Sequence, residues 1–106
     1  MNVQKCYYWL LPLSGLLTQT TWAEITFDGT LGSPATLTGP NYNLSTNLGT
    51  QVGNNLFHSF GKFNVGMGET AIFESSPNIL NIIGRVTGGQ TSFIDGTIKS
   101  PSNLYL

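Results

Sequence analysis

The sequence predicts an all-β chain. From Glu24 onward, short segments rich in Ile, Phe, Val, Thr and Tyr recur, turn signals separate them at intervals of roughly ten residues, and no segment carries a helical stripe of apolar residues. In chain order, "ITF" at 25–27 stops at Asp28-Gly29, and Gly32-Ser33-Pro34 and Gly39-Pro40 break the chain before "NYNL" at 41–44. Gly53-Asn54 then introduces the longest segment, "NLFHSFGKFNV" at 55–65, which carries three phenylalanines and the single histidine. "TAIFES" at 70–75 ends at Ser76-Pro77-Asn78, "NILNII" at 78–83 runs on to Gly88-Gly89, and "SFIDGTI" at 92–98 is parted from "NLYL" at 103–106 by Ser100-Pro101.

Periodicity along one strand looks alike in a sandwich, a barrel and a solenoid. Two features favour the solenoid. Asn43, Asn64 and Asn81 lie inside strand-like segments, where a sandwich disfavours Asn but stacked coils satisfy such amides in ladders. Only 8% of residues are charged, which suits coils that would otherwise set like charges in register. No clear internal repeat is visible, so on the residues alone solenoid and sandwich both stand.

The first 23 residues read as an export signal. Lys5 gives a positive start, and "YYWLLPLSGLL" at 7–17 is apolar but too short to span a bilayer, with Pro12 and Gly15 interrupting any long helix. In "TQTTWA" at 18–23, Thr21 and Ala23 occupy the two positions where signal peptidase accepts small side chains, so the mature chain is expected to begin at Glu24. The only cysteine, Cys6, leaves with the signal. What remains sets Lys62, Arg85 and Lys99 against Glu24, Asp28, Glu69, Glu74 and Asp95, three against five, a formal −2. With no basic cluster, the chain offers no footprint for nucleic acid or anionic lipid. At 106 residues it holds one domain at most.

Catalytic and metal chemistry find no foothold. His58 and Ser59 are neighbours, but adjacent side chains on a strand point to opposite faces, so they cannot act as base and nucleophile. One His, no mature Cys and scattered carboxylates give no metal-ligand spacing, and no cofactor is expected. Glu69 and Glu74 are the nearest approach to a paired-carboxylate glycosidase, and read as solvated carboxylates flanking the "TAIF" strand. A β-helical polysaccharide lyase would need clustered Asp beside a basic residue, whereas Arg85 stands alone. The chain is therefore read as a non-enzyme.

Four stretches carry a resemblance. "ITFDGTLG" at 25–32, "NNLFHSFGKFNV" at 54–65, "NILNIIGRVTGG" at 78–89 and "IDGTIKSPSNLYL" at 94–106 together resemble, in order, the N-terminal secretion domain of the two-partner secretion exoproteins of Gram-negative bacteria, the filamentous haemagglutinin type. The resemblance implies a right-handed parallel β-helix with capping strands. It implies secretion to the medium or cell surface, through periplasm and outer membrane, by a dedicated β-barrel transporter whose periplasmic domains recognise this domain. In the family "NLYL" is followed by an Asn-Pro-Asn-Gly motif and more coils, so residues 24–106 are expected to be the N-terminal part of such a domain. Any contact with host-surface glycans or receptors would then belong to a downstream passenger.

Within that reading, Asn55, Phe57, His58, Phe60, Phe63, Asn64 and Val65 are the expected recognition and nucleation residues. Phe57, Phe60, Phe63 and Val65 are expected to pack the first coils, and His58 and Asn64 to serve stacking within the domain or contact with the transporter. A cysteine-free mature chain also suits passage through a narrow pore in extended form. The competing reading is a self-contained carbohydrate-binding or adhesive module, with Tyr42, Tyr105 and the phenylalanines as stacking platforms.

Overall fold

The computed structural model describes residues 22–106, so the apolar stretch 7–17 and Thr21 lie outside the described residues. Among the described residues the chain forms nine strands and one short 3-10 turn, Thr46–Leu48. The strands are β1 (Glu24–Phe27), β2 (Ala35–Thr38), β3 (Asn41–Leu44), β4 (Thr50–Val52), β5 (Asn55–Phe63), β6 (Thr70–Phe73), β7 (Asn81–Val86), β8 (Thr97–Lys99) and β9 (Asn103–Tyr105). They assemble into two sheets.

One sheet runs β3-β6-β8 and is wholly parallel. The other runs β2-β1-β5-β7-β9, with β4 also beside β5. Here β5, β7 and β9 are parallel, whereas β1, β2 and β4 are antiparallel additions. A parallel bridge between Val65 and Ile94 marks a third corner. The chain thus winds in coils, β3 to β5 to Val65, then β6 to β7 to Ile94, then β8 to β9. This is the parallel β-helix with capping strands that the resemblance implied.

Rung residues stack by kind. Leu56, Ile82 and Leu104 lie in register facing inward, and Asn55, Asn81 and Asn103 lie in register facing outward. The Asn81 amide donates to Asn55 Oδ1 at 2.9 Å and Asn103 donates to Asn81 Oδ1 at 3.2 Å, the ladder that Asn inside strands had suggested. Among the described residues the only ion pair is Lys62 to Glu24 at 3.4 Å.

The core lies between the sheets. Phe27, Phe60, Phe63 and Phe73 form its aromatic centre, with Phe60 edge-on to Phe63 at 4.8 Å and tilted on Phe27 at 4.9 Å. Phe60 and Phe63 are three residues apart and so should face opposite sides of a regular strand. A bulge resolves this: Thr26 pairs with Lys62 but Phe27 with Phe60, which leaves Gly61 as the extra residue. A Cβ at Gly61 would stand 2.8 Å from Thr26 Oγ1, the oxygen that accepts the Lys62 amide, so only glycine fits. Each buried Phe contributes roughly 1.5–3 kcal/mol of transfer free energy.

The strand boundaries differ in places from those expected. β2 and β4 were not anticipated, because β4 is exposed along its length and β2 is only half buried, so neither carries an apolar run. The strand expected at 78–83 starts later, at Asn81, since the Ile79 amide closes a turn on the Ser76 carbonyl. Segment 92–98 contributes only the Ile94 bridge and the start of β8. The turn expected at Gly53 is the β4–β5 hairpin, with Gly53 at φ 62°, a left-handed conformation open to glycine.

Candidate functional site

Strand β5 places the expected recognition segment at the centre of the molecule. On one side it pairs with β7 along six residues, and on the other it is shared by β4 and β1. Its inward face carries Leu56, His58, Phe60 and Phe63, and Val65 follows, fully buried. Phe57 departs from expectation. It alternates outward, half buried, in register with Ile83 and Tyr105, and takes no place in the core, because the bulge that turns Phe63 inward lies at Gly61, four residues beyond it. Asn55 joins the outward Asn ladder, and Asn64 Oδ1 accepts the Phe93 amide at 2.9 Å, tying the first coil to the second.

His58 is fully buried among Phe27, Phe60 and Phe73, with ring centroids 5.4, 5.7 and 5.9 Å away. Neither ring nitrogen has a hydrogen-bond partner among the described residues. Burial pushes its pKa below the ordinary imidazole value, and the nearby Leu48 carbonyl opposes that without closing a bond. The imidazole therefore sits in the core as a neutral ring. Ser59 points the other way, as strand alternation requires, and so cannot serve His58.

Ser59 instead belongs to a polar clamp on the outer face. Asp28 accepts from the Thr30 amide and hydroxyl at 2.9 and 2.7 Å, from Ser59 at 2.7 Å and from Thr87 at 2.6 Å. These bonds, Thr87 first and Ser59 next, hold the Asp28 carboxyl far below the usual carboxylate range. Arg85, which had looked solitary, donates to Ser59 Oγ at 2.8 Å and Thr30 Oγ1 at 3.0 Å. The clamp fastens the β1–β2 loop across β5 and β7.

The reading of Glu69 as a solvated carboxylate is overturned. Its side chain is 2% exposed and accepts Tyr42 Oη at 2.8 Å, the Gly66 amide at 2.6 Å and the Ala23 amide at 3.2 Å. The reason is the tight turn after Val65, where the Glu69 amide closes on the Gly66 carbonyl and carries the side chain inward. A second correction concerns Tyr42. It is fully buried, with its phenol pKa pushed above the ordinary range by burial first and by Glu69 second, and offers no stacking platform. Of the remaining platforms for a sugar, Phe27, Phe60, Phe63 and Phe73 are buried too.

Of the expected cleavage residues, Ala23 borders the Glu69 site through both its amide and its carbonyl, and Glu24 opens β1 with its carboxylate bonded to Lys62. A surface groove of about 420 Å³ is lined by Ser75, Ser76, Pro77, Ile79, Pro101 and Ser102. Two of its hydroxyls are already engaged: Ser75 and Ser102 bond at 2.6 Å, and Ser102 donates to the Ile79 carbonyl at 2.9 Å. Among the described residues no three His, Cys, Asp or Glu side chains converge as metal ligands.

Sequence reasoning missed Glu69 and the clamp. The available signal for Glu69 was its glycines, since Gly39, Gly66 and Gly96 all close on it. Comparison with known families finds a match to the TPS secretion domain over residues 23–106. No curated protein and no solved structure matches the chain.

Proposed function

Because the chain belongs to the TPS secretion domain family, we propose that its first coil both nucleates β-helix folding and is read by the partner transporter through the segment from Asn55 to Val65. Membership of the family makes the chain a secretion-targeting domain of two-partner secretion, with an outer-membrane transporter as partner and a Gram-negative exoprotein as its setting.

The observation that carries it is the contrast within β5. Its backbone is bonded on both edges and its phenylalanines fill the core, so β5 organises the first coil. A solenoid coil contacts only its neighbours, so a folded first coil templates the next and draws the chain outward without ATP. His58, by contrast, has two ring nitrogens that close no hydrogen bond among the described residues. Burying unpaired polar atoms costs about 1–3 kcal/mol, so an apolar residue would serve folding better. We assign the imidazole to the extended chain, before folding, where strand addition to a periplasmic domain exposes alternate side chains to pockets.

Cleavage after Ala23 by signal peptidase and an adhesin-type downstream passenger complete the reading. The test is to export the chain with its own leader, ahead of a reporter passenger, beside a partner transporter. His58→Ala and Asn64→Ala should weaken binding of the unfolded chain to the isolated periplasmic domains and lower secretion. Phe60→Ala should abolish folding of the first coil. If both polar variants bind and secrete like wild type, the segment is structural and recognition lies elsewhere.

A further inference from the structure

Glu69 is buried against no cation among the described residues. A carboxylate withdrawn from water calls for an opposite charge or a full set of donors. Its cradle is shaped around it: a Cβ at Gly39 would stand 2.5 Å from Oε2, and one at Gly66 would stand 3.1 Å from Oε1. The remaining wall is the backbone of residue 23, the last residue expected to leave with the signal. Ala23 donates its amide to Oε2, and its carbonyl meets Tyr42 Oη.

Tyr42 Oη lies between two oxygens, the Ala23 carbonyl and Glu69 Oε1, and one hydroxyl proton serves only one of them at a time. The Ala23 carbonyl oxygen and the Glu24 nitrogen share one carbon, so that nitrogen lies within about 2.3 Å of the oxygen that Tyr42 touches. Hydrolysis adds water across this amide. The leader departs ending in a carboxylate, and Glu24 gains a proton as a free α-ammonium at the rim of the site.

We propose that the Glu69–Tyr42 pocket is a receptor for a primary ammonium, namely the α-ammonium of Glu24 created by leader removal. The group enters the space Ala23 leaves and pairs with Glu69, while the Tyr42 hydroxyl donates to the carboxylate alone. The inference rests on the processing reading given above. Cleavage then adds a charge pair to the first coil, since an uncleaved chain has an uncharged amide here. Among the described residues, the titratable groups facing the site are Tyr42 from β3 and the Glu24 side chain of β1, the latter bound by Lys62 of β5.

The test uses two chains, one released from a removable fusion to start at Glu24 and one retaining fusion residues ahead of Trp22-Ala23. The Glu24 α-amine is 15N-labelled, which leaves it a primary amine, and titrated by NMR. In the Glu24 chain its pKa should rise by a unit or more above the ordinary value of about 7.7–8.0, and Glu69→Gln should return it to that range. A raised folded-state pKa means the extra stability over the extended chain is complete below about pH 7.7 and disappears as pH rises through the raised value. Should Glu69→Gln fail to fold, Tyr42→Phe keeps the carboxylate and should keep the raised pKa. An ordinary amine pKa in the wild-type Glu24 chain overturns the pocket. Separately, a start other than Glu24 on sequencing the exported chain overturns the processing reading, whatever the amine titration shows.

Discussion

His58 and Glu69 are buried to nearly the same degree, at 0% and 2% exposure, yet the fold treats them oppositely. Glu69 stands in a turn where a tyrosine hydroxyl and two backbone amides converge on its oxygens, and glycines clear the room for it. His58 stands mid-strand among aromatic rings, with neither nitrogen closing a hydrogen bond among the described residues. The first is a polar group that the native state was built to hold. The second is tolerated there, and in the function proposed above its imidazole is used by the extended chain. Burial alone therefore says little about what a polar residue is for, and partner satisfaction says much.

The largest test of that contrast is Glu69→Leu. Removing the carboxylate strands the Tyr42 hydroxyl and the Gly66 amide, and the Ala23 amide where residue 23 is retained, and leaving buried donors unpaired costs about 1–3 kcal/mol each. Urea unfolding of the chain should show that loss as a lower midpoint, and a loss under about 1 kcal/mol would dissolve the contrast.

A smaller effect is expected from acid. Because burial lowers the folded-state pKa of His58, its contribution is complete above the unfolded value of 6.5 and is lost as pH falls below it towards the folded value. The slope approaches 1.4 kcal/mol per pH unit in that window. Thermal melts between pH 7 and 5 should show it, and His58→Leu should flatten the curve.

The same His58→Leu variant sharpens the comparison at neutral pH, where it should be neutral or stabilising by about 1 kcal/mol, since no bond is broken and an unpaired polar ring is replaced. Its secretion should fall nonetheless. A marked destabilisation would show that the ring has a structural partner after all. Smallest of all, Asn81→Ala interrupts the ladder between Asn55 and Asn103, at about 0.5–1.5 kcal/mol, measurable by denaturant midpoint.

How much of this was legible in the sequence follows from distance along the chain. The all-β class and the turns at Gly29 and Gly53 were readable because they depend on neighbours. The Asn ladder was readable in kind, as Asn81 sits where strands avoid Asn, but not in register. Parallel pairing joins residues more than twenty positions apart, which propensity does not encode. β4 was invisible because its Thr-Gln-Val run is exposed throughout. Glu69 was misread because its partners Tyr42 and Ala23 are 27 and 46 residues away, and a glutamate after glycine in a turn looks solvated. Phe57 was placed inside because a run of phenylalanines suggests one face, whereas the Gly61 bulge redistributes them.

The rungs of this fold are matched, but the chain between them is not. Asn55 and Asn81 are 26 residues apart, Asn81 and Asn103 only 22, and Asn64 meets Phe93 across 29. Lengthening a corner raises its closure entropy slowly, by about 0.6 kcal/mol per doubling, whereas slipping a rung by one residue turns its side chains to the wrong face. Over evolutionary time such a molecule can gain and lose sequence at the exposed residues 76–78 and 89–91 while β5 and β7 stay fixed. Its corners are where new surface can be written without disturbing the text that folds it.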